Sequence, residues 1–573
     1  MQIINYIKRQ YRVMLPLFHF LLSFLYERTF LLFHLDQDIV LSLPRVTWIS
    51  TGLERAVAYI LSKAIALLLI WCLWKVLFFV IDHFRESKYV KCWVVFFGVG
   101  LILGVCIFPT SFVRSMDNYI TYSYAIRLLP EYWHNAYSGY VYCAMMMVFP
   151  HPIAISLLQW TLFAIAIGYM VYRMNQSPVI QGKGKWFLFL ITLIPGMYGL
   201  LTDAYRTEQY AIAGILFTEL VIMDIVDCKK RSTKELFGIL VYAAFLSTWR
   251  TEGILFASIA FLALVVWVYR FPWKKTALWL AGFVVTFCIV NFPQKMGDIK
   301  YYDKDYSIVN SFCVLQNILN APNANLRYEE VEEDFAAIEA ITPIDAIQLW
   351  GLEGYRRVNV MQGRADINQS LAEPEVADSF MKAYYRMLFH NPKILIKTKL
   401  SYLTTIFRIT EGPYDLPAPF EDEGKYPKWT YSAWEIGKED FLAVKGIEEW
   451  GSYYPRQLVL KTAFQIRDAF ESVRAYLWLD MILYFGIPLV EVWMVIREFL
   501  LWIRKKEGYP GLGVLAFGFL ALFGGIMLAM PAGLKVYFDG YYYMSFFLTG
   551  IYGILFCRQV GTRIRRKRSE KTR

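Results

Sequence analysis

Twelve apolar stretches organise the chain, near residues 13–35, 56–81, 93–109, 152–172, 186–201, 210–226, 236–249, 253–269, 276–292, 476–502, 511–530 and 541–556. Roughly 20 apolar residues cross the ~30 Å hydrocarbon core of a bilayer. Nothing in lipid hydrates a bare backbone, so these stretches are expected to be helices. The first is interrupted by Glu27 and Arg28, which leaves two readings open: a span, or a helix along the interface.

Composition agrees with that class. Of 573 residues, 57% are hydrophobic and 18% aromatic, and the mean hydropathy is +0.37. A soluble chain of this length is far more polar. The net charge of +11 would suit nucleic acid if it formed one basic face. Instead it sits in short connections and in the basic tail 563–573, where it reads as contact with lipid headgroups. Nucleic acid is therefore excluded as a partner. The eight cysteines show no metal-ligand spacing. Cys143 and Cys313 fall in connections on one side, which allows one disulfide. No small-residue cleavage site follows Leu35, so the N-terminal apolar run reads as an anchor and not a signal peptide.

Lys and Arg sort the connections. One set holds Arg85, Lys88 and Lys91; Lys183 and Lys185; Lys229, Lys230, Arg231 and Lys234; Arg270, Lys274 and Lys275; Arg504, Lys505 and Lys506; and the tail. The opposite short connections hold single basic residues: Arg206, Arg250 and Lys535. The positive-inside rule then puts both termini in the cytoplasm of a multi-pass cell-membrane protein.

Two outer segments are long. Residues 110–151 show apolar periodicity (Ile120, Tyr124, Leu128) that predicts short amphipathic helices lying on the membrane. Residues 294–475 have mixed composition with helical patterns at 331–341 and 376–389. A Lys-apolar alternation at 390–407 reads as an interfacial helix.

Chemistry-bearing residues gather in the outer connections: Asp117, just past a span exit; His134 and His151; Asp203, Arg206 and Glu208; Arg250 and Glu252; and Asp539 before Tyr541–Tyr543. An acid at a span exit is costly without a task, which favours Asp117 as functional. Arg206 with Glu208, and Arg250 with Glu252, read equally well as snorkelling ion pairs or as a phosphate site. His151 precedes Pro152 at a helix start, where a polar cap is as ordinary as a ligand. Polar residues collect at one face of the bundle in this reading. A transporter, which would call for half-repeats and broken helices near mid-membrane, is the third-ranked function.

This arrangement resembles the GT-C superfamily of membrane glycosyltransferases, of the bacterial protein-mannosyltransferase kind. Ser115-Met116-Asp117 matches the place of that family's catalytic aspartate. Asp203 matches a second acidic loop, and Phe149-Pro150-His151-Pro152 matches the His-Pro step opening the second core helix. Arg250 would correspond to an arginine facing the lipid phosphate. With 93–109 counted as the first core helix, the long 294–475 segment follows the seventh, as in the family. Two extra spans precede that core, and no paired acids stand at the first acidic site.

The resemblance implies an all-α polytopic GT-C-like fold of about twelve transmembrane helices with a mostly helical outer domain. Its parts would be 1–92 (extra helices), 93–293 (core), 294–475 (extracytoplasmic domain), 476–557 (C-terminal helices) and 558–573 (basic tail). It implies a polyprenyl-phosphate-linked sugar as donor and a glycan, lipid or protein as acceptor. Asp117 and Asp203 would be catalytic, with Arg206, Arg250, Glu252, His134 and His151 on substrate or phosphate. A divalent cation beside Asp203 is the one cofactor this allows. A polymerase or ligase with a lipid-pyrophosphate donor is the alternative.

Overall fold

The computed structural model describes residues 2–24, 52–107, 121, 125, 135–149, 153–180, 206–250, 252–297, 305–349, 374–407, 474–506, 508–530 and 537–571. These are 86% helical, without strands. The elements are α1 (Gln2–Ser23), α2 (Gly52–His83), α3 (Lys88–Ile107), α4 (Ala136–Val148), α5 (Ile153–Gln176), α6 (Arg206–Val226), α7 (Thr233–Trp249) and α8 (Gly253–Ala263). A π-helical turn, Leu264–Val268, extends α8. There follow α9 (Trp273–Gly297), α10 (Asp305–Leu319), α11 (Val331–Glu339), α12 (Ile344–Leu349), α13 (Pro374–His390), α14 (Pro392–Ile406), α15 (Arg474–Ile503), α16 (Pro510–Ala529) and α17 (Asp539–Lys571).

Among the described residues, six helices are long and apolar enough to cross a membrane: Tyr59–His83, Ile153–Gln176, Glu208–Val226, Trp273–Met296, Pro510–Ala529 and Asp539–Thr562. All six coincide with apolar stretches of the sequence. The stretch 186–201 lies outside the described residues. α6 is buried on nearly all sides, whereas α2 and α9 turn most of their surface outward. α6 is therefore the axis of the bundle, and its Phe217, Val221 and Ile222 are fully enclosed. Phe217 meets Phe256 of α8 edge-on at 5.8 Å, and Phe256 stacks on Phe519 of α16 at 4.6 Å.

The connections sort to two ends of this bundle. At one, Arg173 at the end of α5 pairs with Asp224 (3.5 Å) and Asp227 (3.4 Å). Arg231 reaches Asp224 at 2.5 Å and Tyr169 at 3.0 Å. Its backbone N–H donates to the Tyr269 hydroxyl at 2.9 Å. Burial opposes the Arg231 charge, but Asp224 outweighs it and holds the guanidinium above its ordinary pKa. Ser232 caps α7 in a box with Glu235, and the backbone bond from Ser232 pulls that carboxyl below its usual range. Cys228, Arg270 and Lys505 adopt positive φ where α6, the π turn and α15 stop. Their helices close with long-range turn bonds such as Lys229 N–H to Asp224 O and Lys506 N–H to Leu501 O. The multiply basic connections described by the structure all lie at this basic end.

Ile120, Tyr124 and Leu128, whose periodicity predicts surface-lying helices in the first long connection, lie outside the described residues. Further along that connection α4 is apolar and packed inside, with Ala136, Ser138, Tyr142, Cys143 and Met146 buried. Asn135 caps it by accepting from Tyr137 N–H at 2.8 Å, and Val148 O, at its far end, contacts His19 Nε2 at 2.8 Å. At 13 residues it is too short to register as a crossing. Neither Cys143 in α4 nor Cys313 in α10 is in a disulfide, so the bridge allowed by the sequence does not form.

A second, separate core joins α10 to α13, with Ile308, Phe312, Leu315, Ile338, Phe380 and Met387 enclosed. Lys399 of α14 ties this unit to the bundle, donating to Met530 O at 2.6 Å beyond α16. The sequence also placed polar groups at one face alone. The structure corrects that: Glu219 and Glu491 are fully buried within α6 and α15. Glu491 accepts from Tyr541 at 2.5 Å, while both Glu219 oxygens lack a hydrogen-bond partner among the described residues.

Candidate functional site

The end opposite the basic connections carries the candidate site. Three helix starts meet there around Tyr210. α6 brings Glu208, Gln209 and Tyr210 in its first turn; the α7–α8 turn brings Arg250 and Glu252; α17 opens with Asp539 and Gly540. The junction is tight. A Cβ on Gly253 would lie 2.5 Å from Leu246 O and 2.7 Å from the Tyr210 hydroxyl. One on Gly540 would meet the Tyr210 ring at 3.5 Å. Gly253 needs glycine because the starts of α6 and α8 approach one another here, whereas a Cβ at Gly540 would make ordinary contact.

Arg250 Nε donates to Glu252 Oε1 at 2.5 Å, with both side chains mostly sheltered. The Arg250 carbonyl accepts from Gly253 N–H at 2.8 Å, closing the turn that starts α8. Both charges act on the Tyr210 hydroxyl. The first long connection joins the same place: Asn135 Nδ2 donates to Thr248 O at 2.8 Å, and Ala136 N–H to Gln294 Oε1 at 2.6 Å. Tyr137 packs edge-on against Phe245 at 5.0 Å, one turn before Trp249.

Two features suit this junction to an anionic, hydroxyl-rich ligand. Three helix N-termini (α6, α8 and α17) direct their partial positive charge to one region, beside a guanidinium. The amide of Gln209, the Tyr210 hydroxyl and the Trp249 indole N–H are buried without a hydrogen-bond partner among the described residues. Leaving such atoms unsatisfied costs about 1–3 kcal/mol each, so they point to a polar occupant.

Of the residues singled out by sequence, the structure brings Arg250 and Glu252 together and places Arg206 at the start of the adjoining helix. Asp117, His134, His151 and Asp203 lie outside the described residues. Among the described residues, no three His, Cys, Asp or Glu side chains gather as a metal site. Gln209, Tyr210, Trp249, Gly253 and Asn135 were not singled out. Tyr210 opens an apolar stretch of the sequence and carries no separate signal there; Asn135, a capping residue directly before an apolar helix, carried a legible signal.

No family model, curated protein or solved structure matches this chain.

Proposed function

We propose that the chain is a GT-C-like membrane glycosyltransferase of twelve spans, with both termini cytoplasmic. It moves a sugar from a polyprenyl-phosphate donor to a glycan, lipid or protein acceptor on the outer face of the cell membrane. The observation that carries this reading is the Arg250–Glu252 pair among three helix N-termini, at the end away from the multiply basic connections. A polyprenyl phosphate reaches this depth from the side, its chain in lipid and its phosphate at the bundle end.

In this mechanism the anomeric carbon–oxygen bond to phosphate breaks, and a bond to the acceptor oxygen forms. Asp117 takes the acceptor proton. The bonding pair leaves with the phosphate, held by Arg250 with Arg206 nearby. Asp203 orients the acceptor; Glu252 fixes Arg250; His134 and His151 line the donor. Gln209, Tyr210 and Trp249 supply hydrogen bonds to sugar hydroxyls. A well-placed general base contributes roughly 10²- to 10⁴-fold. Asp117→Asn in isolated membranes therefore lowers transfer by that range. Transfer at the parental rate would remove Asp117 from its role. A lipid-pyrophosphate donor fits the same cationic end and is separated by identifying the released lipid.

One observation favours a second reading, a transporter: the buried Glu219 and Glu491 inside the bundle. Uptake of labelled substrate into vesicles without a transfer product would establish it.

A further inference from the structure

We propose that α13 and α14 form a wedge seated in the headgroup layer of the bilayer, at the same end as Arg250, with anionic phospholipid as its partner. This stands apart from the transferase reading and holds for any activity.

The depth follows from α14. Lys399 donates to Met530 O, directly beyond the end of the span α16. Eight residues later, Phe407 packs edge-on against Phe485 at 5.2 Å and stacks with Phe523 at 6.3 Å. Phe523 lies seven residues inside α16, about 10 Å deeper at 1.5 Å per residue. The C-terminal part of α14 therefore descends from the bundle end into the depth of the bilayer. Ile396 and Leu400, on either side of Lys399, stand at the boundary and face away from the protein, 57% and 53% exposed. Thr398 and Lys399, on the other side of the helix, are buried, and Thr398 accepts from Asn317 of α10 at 3.1 Å.

α13 shows the matching gradient. Its exposed positions begin with Glu375 and Asp378, pass through Lys382, and end with Tyr385 and Phe389. Phe389 is 82% exposed, at the turn that leads into α14, although the unit has its own enclosed core. Lys382, Lys393 and Lys397 are exposed among these apolar side chains. Apolar groups bracketed by lysines fit the boundary between acyl chains and anionic headgroups. The acids sit about 20 Å away along α13. Charge and continuity with a span thus select lipid over water, and over a second copy of the chain.

The test uses the full chain in nanodiscs, with Cys72, Cys92, Cys106, Cys228, Cys288 and Cys557 replaced and an NBD probe on Phe389→Cys, Ile396→Cys or Glu375→Cys. In phosphatidylcholine with phosphatidylglycerol, probes at 389 and 396 are expected to emit blue-shifted. Lipid carrying a doxyl group near the headgroup should quench them several-fold more than the probe at 375. Removing phosphatidylglycerol, or combining Lys382→Gln, Lys393→Gln and Lys397→Gln, should at least halve quenching at 389. Equal, water-like behaviour at 389 and 375 overturns the wedge. Quenching at 389 indifferent to lipid charge overturns the anionic partner. Shielding at 389 without doxyl quenching, growing with the number of chains per disc, assigns the face to a second copy instead.

Discussion

Arg250 and Glu252 face one another across a single turn at 2.5 Å, beside a tyrosine whose hydroxyl has no partner among the described residues. Glu252 occupies Nε and so fixes the plane of the guanidinium. A hydrogen bond between charged groups contributes about 1.5–3 kcal/mol. Glu252→Ala should release Arg250 and raise the donor KM about tenfold, equivalent to ~1.4 kcal/mol. Glu252→Gln, which keeps an acceptor, should raise it less. Steady-state kinetics with a synthetic polyprenyl-phosphate sugar measures both. A KM unchanged in the alanine variant detaches Glu252 from donor binding.

Asn135 makes two bonds with different jobs. Its Oδ1 caps α4, and its Nδ2 reaches Thr248 O, two residues before Arg250. Asn135→Ala loses both and should cost about 1–3 kcal/mol of stability. Asn135→Asp keeps the cap but sets an acceptor against a carbonyl. It should fold more stably than the alanine variant and still transfer slowly. Thermal unfolding in detergent, paired with a transfer assay, separates the two effects.

Lys399 gives a pH dependence. Burial pushes its ammonium from the ordinary 10.5 down to about 8. Between those values the unfolded chain binds the proton and the folded chain does not, so stability rises with pH across about 8–10.5. Below about 8 both states are protonated and the burial penalty is present in full. The fall corresponds to about 3 kcal/mol. Lys399→Met should flatten this rise, as read from unfolding temperature against pH. A parallel rise in the variant would assign it to other groups.

Glu219 separates the enzyme from the transporter. An apolar side chain of similar size removes a buried carboxyl with no hydrogen-bond partner, so Glu219→Leu should be neutral or stabilising by up to about 3 kcal/mol. The enzyme reading predicts that transfer persists. A carrier that moves protons or cations through the bundle would lose uptake in Glu219→Gln.

The spans were legible because length and apolarity alone demand helix in lipid, as in α2, α5, α6, α9, α16 and α17. α4 escaped that logic: at 13 residues it is half a crossing, and its tyrosines read as an interfacial belt. Glu219 escaped it because one acid among apolar neighbours leaves the mean hydropathy high, and burial is decided by packing. The pairing of Arg250 with Glu252 could be read from their spacing. Their meeting with Tyr210 and Gly540 could not, because it depends on how three helices far apart in sequence converge.

The most direct measurement is the lipid product released by the purified chain in nanodiscs, supplied with a polyprenyl-monophosphate sugar and an acceptor. One free polyprenyl phosphate is expected per glycosylated acceptor, with a loss of about 100-fold or more in kcat/KM for Arg250→Gln, equivalent to ~2.7 kcal/mol. Release of no monophosphate, or an Arg250→Gln variant as fast as the parent, would contradict the proposed transfer.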